Sequence, residues 1–308
     1  MRIAVTGADG FIGRELCGVL RSSGHEVKTL GRSNQCGTSS LADRMGWRGV
    51  LSGVDAVIHL AGRAHVMKET VHHPLDEFRK INVDGTLCVA QAAVDAGIRR
   101  FVFVSSIGVL GSDSGSAAFS EETAPAPAEP YAVSKHEAEL ALRRLEARTG
   151  LEVVIVRPPL VYGAHVKGNF YRLLRLVAMG IPLPLGSVAN HRSFVGVTNL
   201  SELLLLCASR QIGAQRLYVV SDGHDLSTPE LLGMLASRMK RPKRIFQFST
   251  TILRHSAALL GWQRELQGLT GNLRVNSALA RSALGWTPSK SLEIGIGEMV
   301  DWFVRSSK

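Results

Sequence analysis

Met1-Arg2-Ile3-Ala4-Val5-Thr6-Gly7-Ala8-Asp9-Gly10-Phe11-Ile12-Gly13 is the stretch whose reading decides the fold. Its first five residues read as a buried parallel strand, and the strand runs straight into three glycines spaced three apart. Gly7 permits a tight turn, Gly10 lets backbone approach a pyrophosphate, and Gly13 lets the next helix sit close on the strand. That helix, opened by Phe11 and Ile12, then offers its unpaired N–H groups and the positive end of its dipole to the anion. Glycine-rich turns without nucleotides also occur, so the weight of the reading lies in the order strand, turn, helix.

Working outward, the second strand His25 to Leu30 ends in Gly31-Arg32-Ser33. Dinucleotide folds place an acid about twenty residues beyond the glycines to bind the ribose hydroxyls, or an arginine to accept a 2′-phosphate. Here no acid stands at that point, Gly31 leaves room and Arg32 supplies positive charge, so NADP is favoured over NAD. The alternative is a solvent-facing arginine in a polar loop. Trp47 anchors a short helix from Leu41 to Leu51. Val54 to Gly62 reads as a central strand, in which His59 is a packed core histidine rather than a ligand. Pro74 opens a long helix to about Ala96, and Arg99 to Ser106 is a strand ending in two hydroxyls. Strand ends of this kind line the ligand crevice.

Gly111 to Pro130 reads as a mobile loop over the site. Tyr131 and Lys135 then lie one turn apart on one face of the next helix, and Glu152 to Pro159 is a further buried strand. Beyond it, Phe170 to Met179 is helical, His191 to Val195 is a short strand, Leu217 to Ser221 returns to the sheet, and Thr228 caps a helix to Met239. The fold class is α/β: a Rossmann-type doubly wound parallel sheet with a smaller mixed α/β substrate-binding C-terminal domain. The expected division is a dinucleotide-binding domain over 1–165, with a return strand near 190–222, and a mostly substrate-binding domain over 166–308.

Composition bounds the function. With 308 residues, 45% hydrophobic and 20% charged, the chain can bury a full core. No run of about eighteen uncharged apolar residues occurs, and the N-terminus reads as a strand rather than a signal peptide. The expectation is a cytoplasmic protein without membrane insertion. Cys17, Cys36, Cys88 and Cys207 lie far apart and read as reduced thiols. His65, His72 and His73 lack nearby carboxylates, so no metal site is expected. The net charge of +10 suits small polyanions, while the densest basic group, Lys240-Arg241-Pro242-Lys243-Arg244, lacks interleaved aromatics and reads as a solvated loop rather than a nucleic-acid surface.

Taken together, the motifs resemble those of the extended short-chain dehydrogenase/reductases, the family of nucleotide-sugar epimerases, dehydratases and ketoreductases. The resemblance rests on Thr6-Gly7-x-x-Gly10-Phe11-Ile12-Gly13, His59-Leu60-Ala61-Gly62, Asn82-Val83-Asp84-Gly85-Thr86, Ser105-Ser106, Tyr131-x-x-x-Lys135, Arg157-Pro158-x-x-Val161-Tyr162-Gly163, Arg192-Ser193-Phe194-Val195 and Leu284-Gly285-Trp286-x-Pro288. It implies Ser106, Tyr131 and Lys135 as the catalytic set, with Tyr131 as acid/base and Lys135 as a ribose ligand. It further implies cofactor contacts from Gly7, Asp9, Gly10, Phe11, Ile12, Gly13, Arg32, Leu60, Ala61, Gly62, Asn82 and Pro158. Substrate contacts would come from Ser106, Tyr131, Asn169, Arg192 and Arg274. A neighbouring ammonium and an oxidised nicotinamide are expected to lower the tyrosine's pKa from near 10.

Departures narrow the choice. Sugar-nucleotide dehydratases resemble one another in an Asp-Glu pair after the catalytic hydroxyl, where this chain has Ile107-Gly108, neither able to transfer a proton. Leu160 stands where many epimerases carry an asparagine. The leading expectation is a ketoreductase acting with NADPH at C4 of a UDP-linked 4-keto sugar. The alternatives are a UDP-sugar 4-epimerase and an inactive redox-sensing or RNA-binding member of the fold. Family likeness also implies a homodimer.

Overall fold

Four near-continuous apolar runs, buried on both faces, form the centre of the parallel sheet, as strands covered by helices on each side must. The computed structural model describes residues 1–31, 44–64 and 73–306, without the side chains of residues 44, 45 and 264. Arg32, Cys36, His65 and His72 therefore lie outside the described residues.

The chain runs β1 (Arg2–Thr6), α1 (Phe11–Ser22), β2 (Glu26–Leu30), α2 (Arg44–Val50), β3 (Ala56–His59), α3 (Pro74–Arg79), α4 (Gly85–Asp95), β4 (Arg100–Val104), α5 (Pro130–Thr149) and β5 (Glu152–Arg157). It continues β6 (Leu160–Tyr162), α6 (Asn169–Ala178), β7 (Phe194–Gly196), α7 (Val197–Ser209), β8 (Leu217–Val219), α8 (Thr228–Arg238), α9 (Thr250–Leu259), α10 (Gln263–Thr270), α11 (Ala278–Leu284) and α12 (Leu292–Ser306).

Among the described residues, six strands form one parallel sheet in the order β2-β1-β3-β4-β5-β8, and β6 pairs with β7 in a second sheet. Alternate side chains of β1 serve opposite faces. Ile3 and Val5 join α1, α7 and Trp286 in one core, while Ala4 joins α2, α4 and α5 in the other. A third cluster, with Phe170, Phe194, Leu235 and Ile296, holds α6, β7, α8 and α12 together. From β1 the chain first steps to β2 on one side and then crosses to β3 on the other. That reversal opens a crevice at the carboxyl ends of β1 and β3.

Three local features differ from the sequence expectation. The helix from Pro74 is not uniform: residues Lys80–Asp84 form a π-turn between α3 and α4, an inserted residue's worth of slack that turns Asn82 inward. The cap of α8 is Ser227 rather than Thr228, because Ser227 and Glu230 satisfy each other's backbone N–H groups in a capping box. The loop 111–130 is tied down rather than mobile. Phe119 is buried, its N–H donates to the carbonyl of Arg274 (2.8 Å), the Ser114 N–H donates to that of Asn272 (3.0 Å), and Glu121 accepts from the Val219 N–H on β8 (2.9 Å).

Gly7 shows how tightly the crevice floor is built. Its φ is +70°, and a Cβ placed there would lie 2.8 Å from the Ala61 nitrogen, backbone that cannot yield. Gly7→Ala is expected to lower stability by about 2–4 kcal/mol, combining left-handed strain with overpacking. Gly18, exposed on α1 with nothing near its absent side chain, is the control: Gly18→Ala should stabilise by about 0.5–1 kcal/mol. Urea denaturation of the two variants checks both signs.

Candidate functional site

The site is assembled where β1, β3, β4 and β5 end on one edge of the sheet. Thr6 closes β1 and His59 closes β3, and the two face each other in register. Thr6 Oγ1 shares a 2.8 Å hydrogen bond with His59 Nδ1 and accepts from the Ala61 N–H (3.2 Å), and His59 Nε2 meets Thr86 Oγ1 on α4 (3.1 Å). Burial, reinforced by the charge of Lys135, pushes the imidazole down to about 3. His59 is thus a neutral strut joining three elements beneath the crevice.

The first turn of α1 carries no capping side chain and no acid, and Gly10 holds its N-cap in extended conformation. A Cβ at Gly13 would lie 2.3 Å from the Gly7 carbonyl oxygen, so helix and turn are in backbone contact. This arrangement leaves a helix N-terminus without a side-chain cap from its N-cap residue, a cradle that fits a dinucleotide's pyrophosphate. Phe11 and Ile12 form that first turn, half-buried, with Phe11 packed toward the third core cluster and Ile12 toward the first. Across the turn, the Asp9 carboxylate lies against Gly31 at the end of β2: a Cβ on Gly31 would come within 2.0 Å of Asp9 Oδ2.

On the opposite wall, Leu60, Ala61 and Gly62 continue β3, and Gly62 faces both Asn82 and Lys135. Asn82 accepts from the Arg63 N–H (2.7 Å) and donates through Nδ2 to the Arg63 carbonyl (3.1 Å) and to Ser134 Oγ (3.0 Å). Ser134 in turn donates to the carbonyl of Tyr131 (2.8 Å). The π-turn therefore clamps the β3 loop to the first turn of α5. Ser134 was missed by the sequence reading, although its position three residues after Tyr131 puts it on the adjoining face of the helix.

Ser106 follows β4, whose exit is pinned to β5 by the Ser105 N–H on the Val156 carbonyl (2.8 Å) and the Ile107 N–H on the Pro158 carbonyl (2.9 Å). Its Oγ accepts from the Gly108 N–H (3.1 Å), which leaves its own O–H to donate to a ligand. Gly108 brings Ser106 and α5 together, its bare Cα facing both Ser106 Oγ and the Ala132 methyl.

Lys135 is buried, with its ammonium 4.2 Å from the centroid of Phe103. Burial pushes its pKa down to about 7, against the pull of Glu139 one turn on. Glu139 itself makes a two-pronged pair with Arg157 (2.9 and 2.5 Å), both side chains buried. Tyr131 lies edge-on to Phe78, and burial pushes its phenol up to about 12. The expected acidification is therefore reversed in the protein alone. Burial of the phenol is the cause.

The substrate-side residues separate. Arg192 is buried, donates through Nη1 to the Gly271 carbonyl (2.9 Å), and has an Nε with no partner among the described residues. Arg274, by contrast, is half exposed and paired with Asp225 (3.3 Å). Asn169 is exposed at the first position of α6. No group of His, Cys, Asp or Glu among the described residues is placed to hold a metal ion.

The family model described as the NAD dependent epimerase/dehydratase family matches residues 3–221. The chain is 36% identical, over 99% of its own length and 96% of the relative's, to a UDP-glucose 4-epimerase of Vibrio cholerae. Among solved structures, MoeE5 in complex with UDP-glucose and NAD is 26% identical and covers 100% of both chains with a TM-score of 0.79. RMD from Pseudomonas aeruginosa complexed with NADPH is also 26% identical, covering 99% of this chain and 97% of its own, with a TM-score of 0.79.

The Lys135 environment has a thermodynamic signature. From about pH 7 up to the ordinary lysine value, the unfolded chain carries a proton that the folded protein lacks, so stability rises with pH over that window. Measured by urea denaturation without ligand, the stability of the wild type relative to Lys135→Met should be flat below pH 7 and climb above it. A difference independent of pH would contradict the buried, proton-shedding lysine.

Proposed function

The chain belongs to the NAD dependent epimerase/dehydratase family, and we propose that within it this protein is a UDP-sugar 4-epimerase, inverting one carbon of a hexose by oxidising and re-reducing it. The observation that carries the reading is the near full-length likeness to a UDP-glucose 4-epimerase. The absence of proton-transferring side chains at Ile107 and Gly108 speaks against dehydration.

A nicotinamide dinucleotide would lie over Gly7, Gly10 and Gly13, with its pyrophosphate at the start of α1 and its far end along Ala61, Gly62 and Lys135. When bound it supplies the redox chemistry at the sugar carbon and a positive ring charge near Tyr131. Pro158, which accepts the Ile107 N–H, holds the turn that presents Ser106 beside it. The residues of the chain do the rest. Tyr131 takes the C4 hydroxyl proton and gives it back, Ser106 donates its O–H to the same oxygen, and Arg192 meets the substrate's diphosphate with an Nε–H that has no partner among the described residues.

The sequence favoured NADP because position 31 lacks an acid and leaves room and because Arg32, outside the described residues, supplies positive charge. Asp9 supplies an acid from the neighbouring loop, its carboxylate standing where a side chain at residue 31 would begin. A carboxylate there accepts from ribose hydroxyls and repels a 2′-phosphate, so we assign NAD, which suits an enzyme that regenerates its cofactor each turn.

Purified protein given UDP-galactose and no added reductant should form UDP-glucose, and Tyr131→Phe should lower kcat by about 10²–10⁴-fold with little effect on NAD binding. NADPH consumption with a UDP-4-keto sugar, without interconversion of the hexoses, would instead establish the reductase. In fluorescence titrations, wild type should bind NADH more tightly than NADPH, and Asp9→Ser should erode that preference about tenfold. An unchanged preference would remove Asp9 from the account while leaving the epimerase reading standing.

A further inference from the structure

Residues 240–262 form a surface that the proposed catalysis does not use. Residues 244–248 run beside 183–187: the Leu183 N–H donates to the Arg244 carbonyl (2.9 Å), the Phe246 N–H to the Leu183 carbonyl (3.1 Å) and the Gly186 N–H to the Phe246 carbonyl (2.9 Å). Phe246 and Phe248 are exposed, their rings meeting edge-on at 6.4 Å, and Arg244, also exposed, donates through Nη1 to the Gly180 carbonyl (3.1 Å). Ser249 then caps α9. Ala257 and, in part, Leu253 turn that helix inward, while Ile252 and Leu259, two turns apart, stand 55% and 89% exposed. Leu260 (60%) and Trp262 (61%), just past the end of α9, are bare as well. Between Lys240 and Trp262 the chain also carries Lys240, Arg241, Lys243, Arg244 and Arg254 and no acidic residue.

We propose that this surface docks the protein on an anionic lipid bilayer, with the α9 aliphatic side chains and Trp262 entering the headgroup boundary and the basic residues meeting lipid phosphates. Exposed aliphatic tips gain from hydrocarbon, indole favours the headgroup depth, and clustered Lys and Arg are drawn to anionic lipid. A second copy of the chain is disfavoured as the occupant. A two-fold contact would set these cations against their own images with no carboxylate in the stretch to offset them. Nucleic acid would answer the charges and the exposed rings of Phe246, Phe248 and Trp262, but would leave the aliphatic Ile252, Leu259 and Leu260 uncovered. The contact is peripheral, since no helix among the described residues is long and apolar enough to cross a membrane. It also has a geometric consequence. Helix α10 begins at Gln263, immediately after Trp262, and the carbonyl of Gly271 at its far end holds Arg192, so docking sets the substrate arginine one short helix from the lipid.

The test is sedimentation of the full chain with phosphatidylcholine vesicles and with vesicles that also contain phosphatidylglycerol. Wild type should pellet with the anionic vesicles only, less so as salt rises, and its tryptophan emission should shift to the blue in a way that Trp262→Phe abolishes. Leu259→Ser/Leu260→Ser should lower the partition coefficient about tenfold or more, and Lys243→Gln/Arg244→Gln should lower it and flatten its salt dependence. Both variants should keep the wild-type melting temperature and NADH affinity, which separates loss of docking from loss of fold. The proposal is overturned if wild type stays in the supernatant or if the leucine variant pellets as wild type does. It is equally overturned if that variant instead abolishes a dimer seen by sedimentation equilibrium, or if single-stranded RNA binds with an affinity the leucine substitutions leave unchanged.

Discussion

Backbone meets backbone where the turn after β1 touches both the start of α1 and the loop after β3, and no side chain can be placed between them. Absent Cβ atoms at Gly7 and Gly13 are what allow this contact. From it the rest follows. The strand order reverses at that seam, so the carboxyl ends of β1 and β3 part into a crevice. Helix α1 is drawn onto its own turn and presents an N-terminus without a side-chain cap to the opening. Thr6, buried under the seam, is left to link His59 and the Ala61 N–H, which carries the geometry of the floor across to α4.

The far wall is governed by desolvation. A lysine and a tyrosine one turn apart on α5 are both driven toward their neutral forms, Lys135 to about 7 and Tyr131 to about 12. Glu139, itself paired with Arg157, opposes this for the lysine, but burial is the larger effect. The site alone is therefore poorly suited to hold a phenolate. A positive ring brought in by a bound cofactor would supply the missing stabilisation, coupling the acidity of Tyr131 to the presence of the group it works beside.

Most of the frame could be read from the residues themselves, because it is written locally. The apolar runs gave the sheet, the glycine spacing its crevice, and the strand-end serines and the tyrosine–lysine turn the pair of walls. What escaped the reading depends on residues that meet only in space. Asp9 lies twenty-two positions before the glycine it shields, so an acid missing from the end of β2 in sequence is present there in the fold. The Gly- and Pro-rich loop 111–130 looks mobile, yet residues some 150 positions later stitch it down through backbone bonds and the Asn272 side chain, which leave no trace in composition. Arg192 and Arg274 look alike as letters, and only burial and the partner Asp225 tell them apart. The π-turn at Asn82 is likewise a tertiary outcome, imposed by the Arg63 backbone and Ser134 on either side of it.

The central claim is that one crevice removes a hydrogen from C4 of a UDP-hexose and returns it to the same carbon. Isotope tracing reaches it most directly: UDP-glucose deuterated at C4 is converted by the purified protein, and the UDP-galactose formed is analysed by mass spectrometry and NMR. The account predicts that the product keeps its deuterium at C4. A product carrying ordinary hydrogen there would contradict it.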